Sequence, residues 1–327
     1  MDAAAIVLSS LSKRFGAVTA VDGIDLVVPR GVTCGFIGPS GAGKTTCIRM
    51  IMAILFPDAG SLSVLGRRSA LEAKDRIGYL PEERGVYRKM RVMAFLTYIA
   101  QLKGVTAAVA STRAAALLER LGVGGIDDQR CEDLSKGMLQ RVQFVGAIIN
   151  EPDLLILDEP FGGLDPVSVR RLKEVIADEH HRGATILFST HIMAQAEEMC
   201  QHVVMIHRGR KVLDEPMAGL RRQFDPRTIR IEPLEAGADL LALGALPCVE
   251  RVVPTADGCE IRLHAGTDPA AAMRDVVARV PPARVELARV RLEDVFLRLV
   301  ADDAATDVAA RALRADLQGL GPEGAAA

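Results

Sequence analysis

Gly38-Pro39-Ser40-Gly41-Ala42-Gly43-Lys44-Thr45 decides how this chain folds. A glycine, four residues and then Gly-Lys-Thr is the spelling of a phosphate-binding loop. Before it, Val32 to Ile37 is an apolar segment that predicts a buried strand; after it, Ile48, Ile51, Met52 and Leu55 recur at helical spacing. The loop therefore joins a strand to the first turn of a helix. Its glycines let the backbone wrap a phosphate with N–H groups pointing inward, and the helix N-terminus adds positive potential. Lys44 is placed to reach the β- and γ-phosphates and the Thr45 hydroxyl to ligate Mg²⁺, while Thr46 follows in the same helical turn and completes the phosphate-binding set.

A phosphate loop needs a metal partner. Leu154-Leu155-Ile156-Leu157 is a continuous apolar run of the kind that buried parallel strands show, and Asp158 and Glu159 follow it directly. A carboxylate at the C-terminal end of a strand beside the loop strand is where a Mg²⁺-binding Asp belongs, which assigns Asp158 to the metal. Glu159, one residue on, points elsewhere and can polarise the attacking water as a general base. The alternative, two solvated surface acids, sits poorly after four aliphatic residues and before Pro160. His191 ends the next apolar strand, Thr185 to Phe188 with Ser189 and Thr190, so it reaches the same sheet edge, where it can bond a γ-phosphate oxygen. Asp165, in Gly162-Gly163-Leu164-Asp165-Pro166, can cap the helix that Pro166 starts. Leu134-Ser135-Lys136-Gly137-Met138 precedes a helix from Leu139 to Ile149. Ser135 can be its cap; equally, Ser135 and Gly137 at a helix N-terminus can hold a phosphate, and from a separate helical insert that phosphate would sit on a second molecule.

Further out, Ile6 to Leu8, Val18 to Val28, Ser61 to Leu65, Ile77 to Leu80 and Val203 to Ile206 predict strands. Phe15 lies in a short polar turn; taken alone it reads first as a core anchor, with stacking on a base as the alternative. Residues 91–133 carry helical spacing (Phe95, Tyr98, Ile99, Leu102, then Ala114, Leu117, Leu118, Leu121) and no strand pattern, as a helical insert in a βα chain would. Composition shifts near Phe224-Asp225-Pro226. Beyond it the pattern predicts strand Thr228–Glu232, helix Asp239–Leu246, strands Val249–Val253 and Glu260–Leu263, helix Pro269–Val280 and strand Arg284–Leu287, the βαββαβ order of the ferredoxin-like arrangement. A last helix holds Leu292, Val295, Phe296 and Leu299, and an Ala-, Gly- and Asp-rich tail follows.

The chain has 327 residues, enough for one or two domains, and 49% of them are hydrophobic. A formal charge of −2, no Trp and only 4% aromatics argue against a nucleic-acid partner. Six scattered cysteines without a CxxC pair read as buried small hydrophobes in a reducing compartment. No basic stretch followed by an apolar core opens the chain, and no run approaches the roughly 18 apolar residues of a membrane span. These features predict a soluble, cytoplasmic chain.

The ordered set of motifs resembles the ATP-binding cassette of ABC transporters over about residues 4–222. Gly38–Thr45 matches Walker A, Leu134–Met138 the signature, Leu154–Glu159 Walker B, Gly163–Asp165 the D-loop and His191 the switch histidine. Phe15 falls where the family stacks an aromatic on adenine, which reverses the preference for a core anchor. Gly-Tyr-Leu-Pro-Glu-Glu-Arg-Gly at 78–85 and the phrase Leu292-Glu293-Asp294-Val295-Phe296 resemble the sodium-extrusion and drug-export branch. Two spellings depart from the family: Glu82 stands where Gln is usual, and Lys136 and Met138 intrude on the signature. Glu82 can still ligate Mg²⁺ but adds negative charge near the γ-phosphate.

The resemblance implies an α/β P-loop ATPase domain at 1–222 with a helical subdomain at about 91–150, then a small α+β domain at 223–300 and a flexible tail at 301–327. It implies ATP and Mg²⁺ as cofactors, two ATP molecules sandwiched head-to-tail in a dimer (a homodimer as the expectation), and a separate membrane permease that holds the chain on the inner face of the cell membrane and carries out export. Rivals fare worse. A ribosome-acting cassette protein resembles two cassettes in tandem, a DNA-repair cassette needs long coiled coils between Thr45 and Leu134, and a non-catalytic subunit would not keep Lys44, Asp158 and Glu159. A soluble cassette ATPase uncoupled from transport stays as the alternative.

Overall fold

The computed structural model of the chain describes residues 4–83, 85–223, 227–235, 237–288 and 291–300. Two long strands, β1 (Ala4–Phe15) and β2 (Val18–Pro29), precede β3 (Thr33–Ile37), which runs into the phosphate loop and α1 (Lys44–Ile51). Then come β4 (Ala59–Val64), β5 (Ile77–Leu80) and three helices, α2 (Val92–Leu102), α3 (Ala107–Arg120) and α4 (Lys136–Ile148). The α/β alternation resumes with β6 (Leu154–Asp158), α5 (Pro166–His181), β7 (Thr185–Thr190), α6 (Met193–Met199), β8 (His202–His207), β9 (Arg210–Pro216) and α7 (Met217–Gln223).

Six of these strands form one sheet in the order β5-β6-β7-β3-β8-β9. All neighbours are parallel except the β8–β9 hairpin. Every residue of β3, β6 and β7 is buried, which is why these stretches read as unbroken apolar runs: both faces of a parallel sheet are covered. One expectation is corrected here. β6, which ends in Asp158, is not the immediate neighbour of β3; β7 lies between them.

The antiparallel β2-β1-β4 sheet is a second layer. Only Ile6 to Leu8 was expected as strand in its first member, yet β1 runs on to Phe15, because its polar second half pairs across, Ser9 to Ser61, Ser12 to Ala59 and Phe15 to Val18. One hydrophobic core joins Ile6, Leu8, Ile24 and Leu26 of this layer to Cys47, Ile48, Met50 and Ile51 of α1 and to Phe36, Ile156, Val204 and Ile206 of the large sheet. Burying each of the larger side chains contributes about 1.5–3 kcal/mol. α1 is thereby fixed along its length against both sheets.

Further along lie β10 (Thr228–Pro233), β11 (Val249–Pro254), β12 (Cys259–Leu263), α8 (Pro269–Arg279), β13 (Pro282–Leu287) and α9 (Leu292–Val300). These strands form an all-antiparallel sheet ordered β11-β12-β10-β13, so each strand–crossover–strand unit straddles a strand of the other. The helix expected at Asp239–Leu246 is only a 3₁₀ turn, Leu241–Ala245. Pro247 disfavours helical backbone at Leu246, and Gly244 weakens what precedes it.

By Cα proximity the chain divides into Met1–Met217 with Phe296–Ala327, and Ala218–Val295. The second unit has its own core, including Ile229, Ile231, Leu243, Ile261, Leu263 and Val276. The expected tail at 301–327 and the composition shift at Phe224-Asp225-Pro226 lie outside the described residues. Among the described residues, no helix is long and apolar enough to cross a membrane.

Candidate nucleotide-binding and hydrolysis site

The loop Gly38–Thr45 leaves the C-terminal end of β3, closes on itself by one backbone bond and is tied by another to Gly209, which is held in turn by Asp22. Ala42 N–H donates to Pro39 O (3.1 Å), Gly209 N–H to Ala42 O (2.9 Å) and Asp22 N–H to Gly209 O (2.9 Å). A β-carbon at Gly38 would lie 2.1 Å from Ile206 O, and one at Gly43 2.3 Å from Ala20 O, so only glycine lets the loop approach β8 and β2 this closely. Gly43 also has φ 106°, a backbone conformation open to glycine, and it caps α1 without a side chain. Lys44 is buried and folds back along the loop, its Nζ donating to Gly38 O (2.7 Å) and Pro39 O (3.1 Å). The ammonium therefore stands over the concavity that the loop encloses. Thr45 and Thr46 begin α1.

Thr45, Glu82 and Asp158 come together in one cavity of about 410 Å³, which Tyr79, Arg49 and Glu83 also line. The Thr45 hydroxyl lies 3.4 Å from Glu82 Oε2. Asp158, the last residue of β6, is fully buried, and neither carboxylate oxygen has a hydrogen-bond partner among the described residues. Burial pushes its pKa up to about 6, with the charges of Glu82 and Glu159 adding and the nearby Ser189 and Thr45 hydroxyls opposing in part. A buried, unpartnered carboxylate beside a hydroxyl and a second carboxylate is an all-oxygen set of the kind a hard divalent cation takes. The residues present therefore fit Mg²⁺.

Glu159 follows with φ 47°, a left-handed backbone that costs a non-glycine residue about 1–2 kcal/mol and turns its side chain away from that of Asp158. Its amide donates to Ser189 O (3.1 Å), tying it to β7. Its Oε1 accepts from the His191 backbone N–H (2.8 Å) and lies 2.8 Å from His191 Nδ1, and Thr190 Oγ1 is 3.3 Å from Oε2. Glu159 and His191 are thus one hydrogen-bonded unit at the ends of adjacent strands.

Asp165 is the N-cap of α5: Oδ1 accepts from Val167 N–H and Ser168 N–H, both at 3.0 Å, and Oδ2 from the Ser168 hydroxyl at 2.6 Å. These bonds, the Ser168 hydroxyl first, hold its carboxyl below the usual range. Ser135 caps α4, which begins at Lys136 rather than Leu139, by accepting from Met138 N–H at 3.3 Å. Gly137 faces the D-loop, since a β-carbon there would lie 3.5 Å from Leu164 Cδ2. Among the described residues, no hydrogen bond joins Ser135 or Gly137 to Gly38–Thr45. Phe15 is the last residue of β1 and 49% exposed, so it is neither in a turn nor a core anchor.

The sequence reading missed the ion pair between Arg49 Nη2 on α1 and Glu83 Oε1 (2.7 Å), which braces the Glu82 loop. Its one sequence signal is that Arg49 stands four residues after Thr45 on the same helical face.

The family profile described as "ABC transporter" matches residues 21–162. The chain is 38% identical over 258 residues to the uncharacterized ABC transporter ATP-binding protein YhaQ of Bacillus subtilis (strain 168), spanning 79% of this chain and 86% of YhaQ. It is 35% identical over 257 residues to the Nod factor export ATP-binding protein I of Paraburkholderia xenovorans (strain LB400), spanning 77% of this chain and 83% of that one. A solved structure of an ATP-binding subunit of an ABC transporter superposes with a TM-score of 0.62 at 33% identity, covering 67% of this chain and 92% of the other. At 23% identity and a TM-score of 0.58, cbiO1 from Clostridium perfringens, part of the ABC transporter complex cbiONQ, shares the fold over 67% of this chain and 91% of its own. Loop, Walker B carboxylates and relatives agree: the chain belongs to the ATP-binding proteins of ABC transporters, and it is an ATPase.

Proposed function

We propose that this ATPase powers a separate integral membrane permease, that the transport is export, and that two copies of the chain close on two Mg-ATP molecules. Residues 1–222 would form the ATP-binding domain and 223–300 an accessory domain. Export rests on the Nod factor export relative and on the spelling at 78–85. A permease partner is supported by the complex to which cbiO1 belongs. It is also supported by a cavity of about 240 Å³ among Met52, Leu71, Tyr79, Phe95, Lys103 and Gln143, where the buried Gln143 Oε1 has no hydrogen-bond partner among the described residues. Such a chain would sit at the inner face of the cell membrane through its permease.

The observation that carries the catalytic reading is the Glu159–His191 unit beside the loop. Lys44 Nζ would exchange its two loop carbonyls for β- and γ-phosphate oxygens. Thr45, Asp158 and Glu82 would hold Mg²⁺, which supplies charge neutralisation on the phosphates. Glu159 would accept a proton from the attacking water, and His191, fixed by Glu159, would bond the γ-phosphate. Ser135 and Gly137 would meet the γ-phosphate held by the other copy, and Asp165 would lie at that junction.

Glu159→Gln keeps the shape and removes the base. The variant is expected to bind Mg-ATP, to lose at least about 100-fold in turnover, and to elute as a dimer only with ATP in size-exclusion chromatography, with the permease supplied if the chain alone stays monomeric. Wild-type turnover in this variant would remove Glu159 from catalysis.

A further inference from the structure

Phe15 is the exposed aromatic at the end of β1, and the chain has gone to some length to hold it. Its strand partner Val18 is two residues from Ala20, whose carbonyl packs on Gly43 of the phosphate loop. On the other side stands Asp58, in the turn that follows α1. Its backbone N–H donates to Ser12 O (2.9 Å). Its Oδ1 accepts from Lys13 Nζ (2.8 Å) and its Oδ2 from the Arg14 backbone N–H (2.7 Å). Three successive residues before Phe15 are therefore bonded to one aspartate. Lys13 Nζ in turn lies over the Phe15 ring, 5.7 Å from its centroid, within cation–π range. Asp58 lies in the segment that leaves the C-terminal end of α1, the helix whose first residues are Lys44 and Thr45, so it ties the end of β1 to the exit of that helix.

We propose that Asp58 is a positioning residue that, through Lys13 and the Arg14 amide, fixes Phe15 as a stacking platform for the adenine of ATP at a set distance from the phosphate loop. The proposal rests on the reading of Phe15 as the base-stacking aromatic, and it adds how that ring is held. An exposed aromatic on a free strand end pays ordering entropy each time a base lands on it; a braced ring has that ordering built in. Lys13 covers one side of the ring and leaves the base the other. Asp58 is not itself a binding residue, so its removal should weaken recognition of the base and spare recognition of the phosphates.

Isothermal titration calorimetry with ATP and with inorganic tripolyphosphate, both with Mg²⁺, tests this on the full chain. Phe15→Ala should weaken ATP binding about tenfold or more, the scale of base–aromatic stacking, with tripolyphosphate binding unchanged. Asp58→Ala should weaken ATP binding about three- to tenfold, the scale of ordering one side chain, again with tripolyphosphate unchanged. Lys13→Met should act in the same direction. In a Phe15→Ala background, Asp58→Ala should have no further effect, because both act through one ring.

The contrary outcomes separate the two readings. If Phe15→Ala binds ATP as the wild type does, the stacking role falls and the proposal with it. If Phe15→Ala weakens ATP but Asp58→Ala does not, the stacking role stands and the brace is overturned. Equal losses for ATP and tripolyphosphate in Asp58→Ala would make Asp58 a general support of the fold, as would additive losses in the double variant.

Discussion

At the scale of single residues, Glu82 stands beside Thr45 and Asp158 in the candidate metal cavity. Its Oε2 is 3.4 Å from the Thr45 hydroxyl, in the cavity that also takes the buried Asp158 carboxylate. Two carboxylates facing an incoming triphosphate repel it until a cation intervenes. Glu82→Gln removes one charge and keeps an oxygen that can ligate. With EDTA present, this variant should bind ATP about three- to tenfold more tightly than the wild type, while with Mg²⁺ it should retain hydrolysis within about tenfold. Fluorescent-nucleotide titrations in the two buffers read both numbers. Equal affinity without metal would place the Glu82 charge away from the phosphates. The motif residues around it were legible because loop, strand-end carboxylates and histidine are each local spellings. Asp58 and the Arg49–Glu83 pair were not, since their partners lie 44 and 34 residues away in the chain.

At the scale of elements, the sequence was read well where burial is two-sided. β5, β6, β7 and β8 are apolar runs, and α5 announces itself with an Asp-Pro start. It was read poorly where pairing rather than burial makes the strand. The second half of β1 and most of β9 carry polar residues, and their partners are set by tertiary contact. The end of α2 shows another feature that a helical pattern hides. Lys103, the C-cap of α2, sends Nζ inward to Ile77 O (3.0 Å) and Asn150 Oδ1 (3.2 Å). Burial lowers its pKa from 10.5 to about 8. The unfolded chain then binds more protons than the folded one between those values, so this group's penalty is full below pH 8 and vanishes above pH 10.5. Relative to Lys103→Met, the wild type should gain stability between pH 7.5 and 10, by on the order of 2–3 kcal/mol. Lys74 and Tyr79 line the same cavity and are common to both proteins, so the difference isolates Lys103. Urea midpoints at the two pH values measure it; a constant difference would mean that the amine keeps an ordinary pKa.

At the scale of the whole molecule, the question is whether Ala218–Val295 needs the rest of the chain in order to fold. Its sheet has two unlike faces. One packs Ile229, Ile231, Ile261 and Leu263 against Ala272 and Val276 of α8. The other carries charge in register: Arg230 lies opposite both Glu260 and Glu286, and Arg284 opposite Glu232. Arg230 bonds Glu260 at 2.8 Å, Arg284 bonds Glu286 at 2.8 Å and approaches Glu232 at 3.7 Å. Exposed pairs of this kind add little stability each, but they make the outer face a water-facing surface rather than one awaiting an apolar partner. Helix on one side and water on the other is a complete two-layer domain. Its size limits what it can gain, since a core this small rarely supplies more than about 3–5 kcal/mol. Residues 218–295 expressed alone should therefore unfold cooperatively in urea with a stability of about 3–5 kcal/mol and give a dispersed amide NMR spectrum. A gradual, non-cooperative loss of structure would show that the apolar face is completed by the rest of the chain.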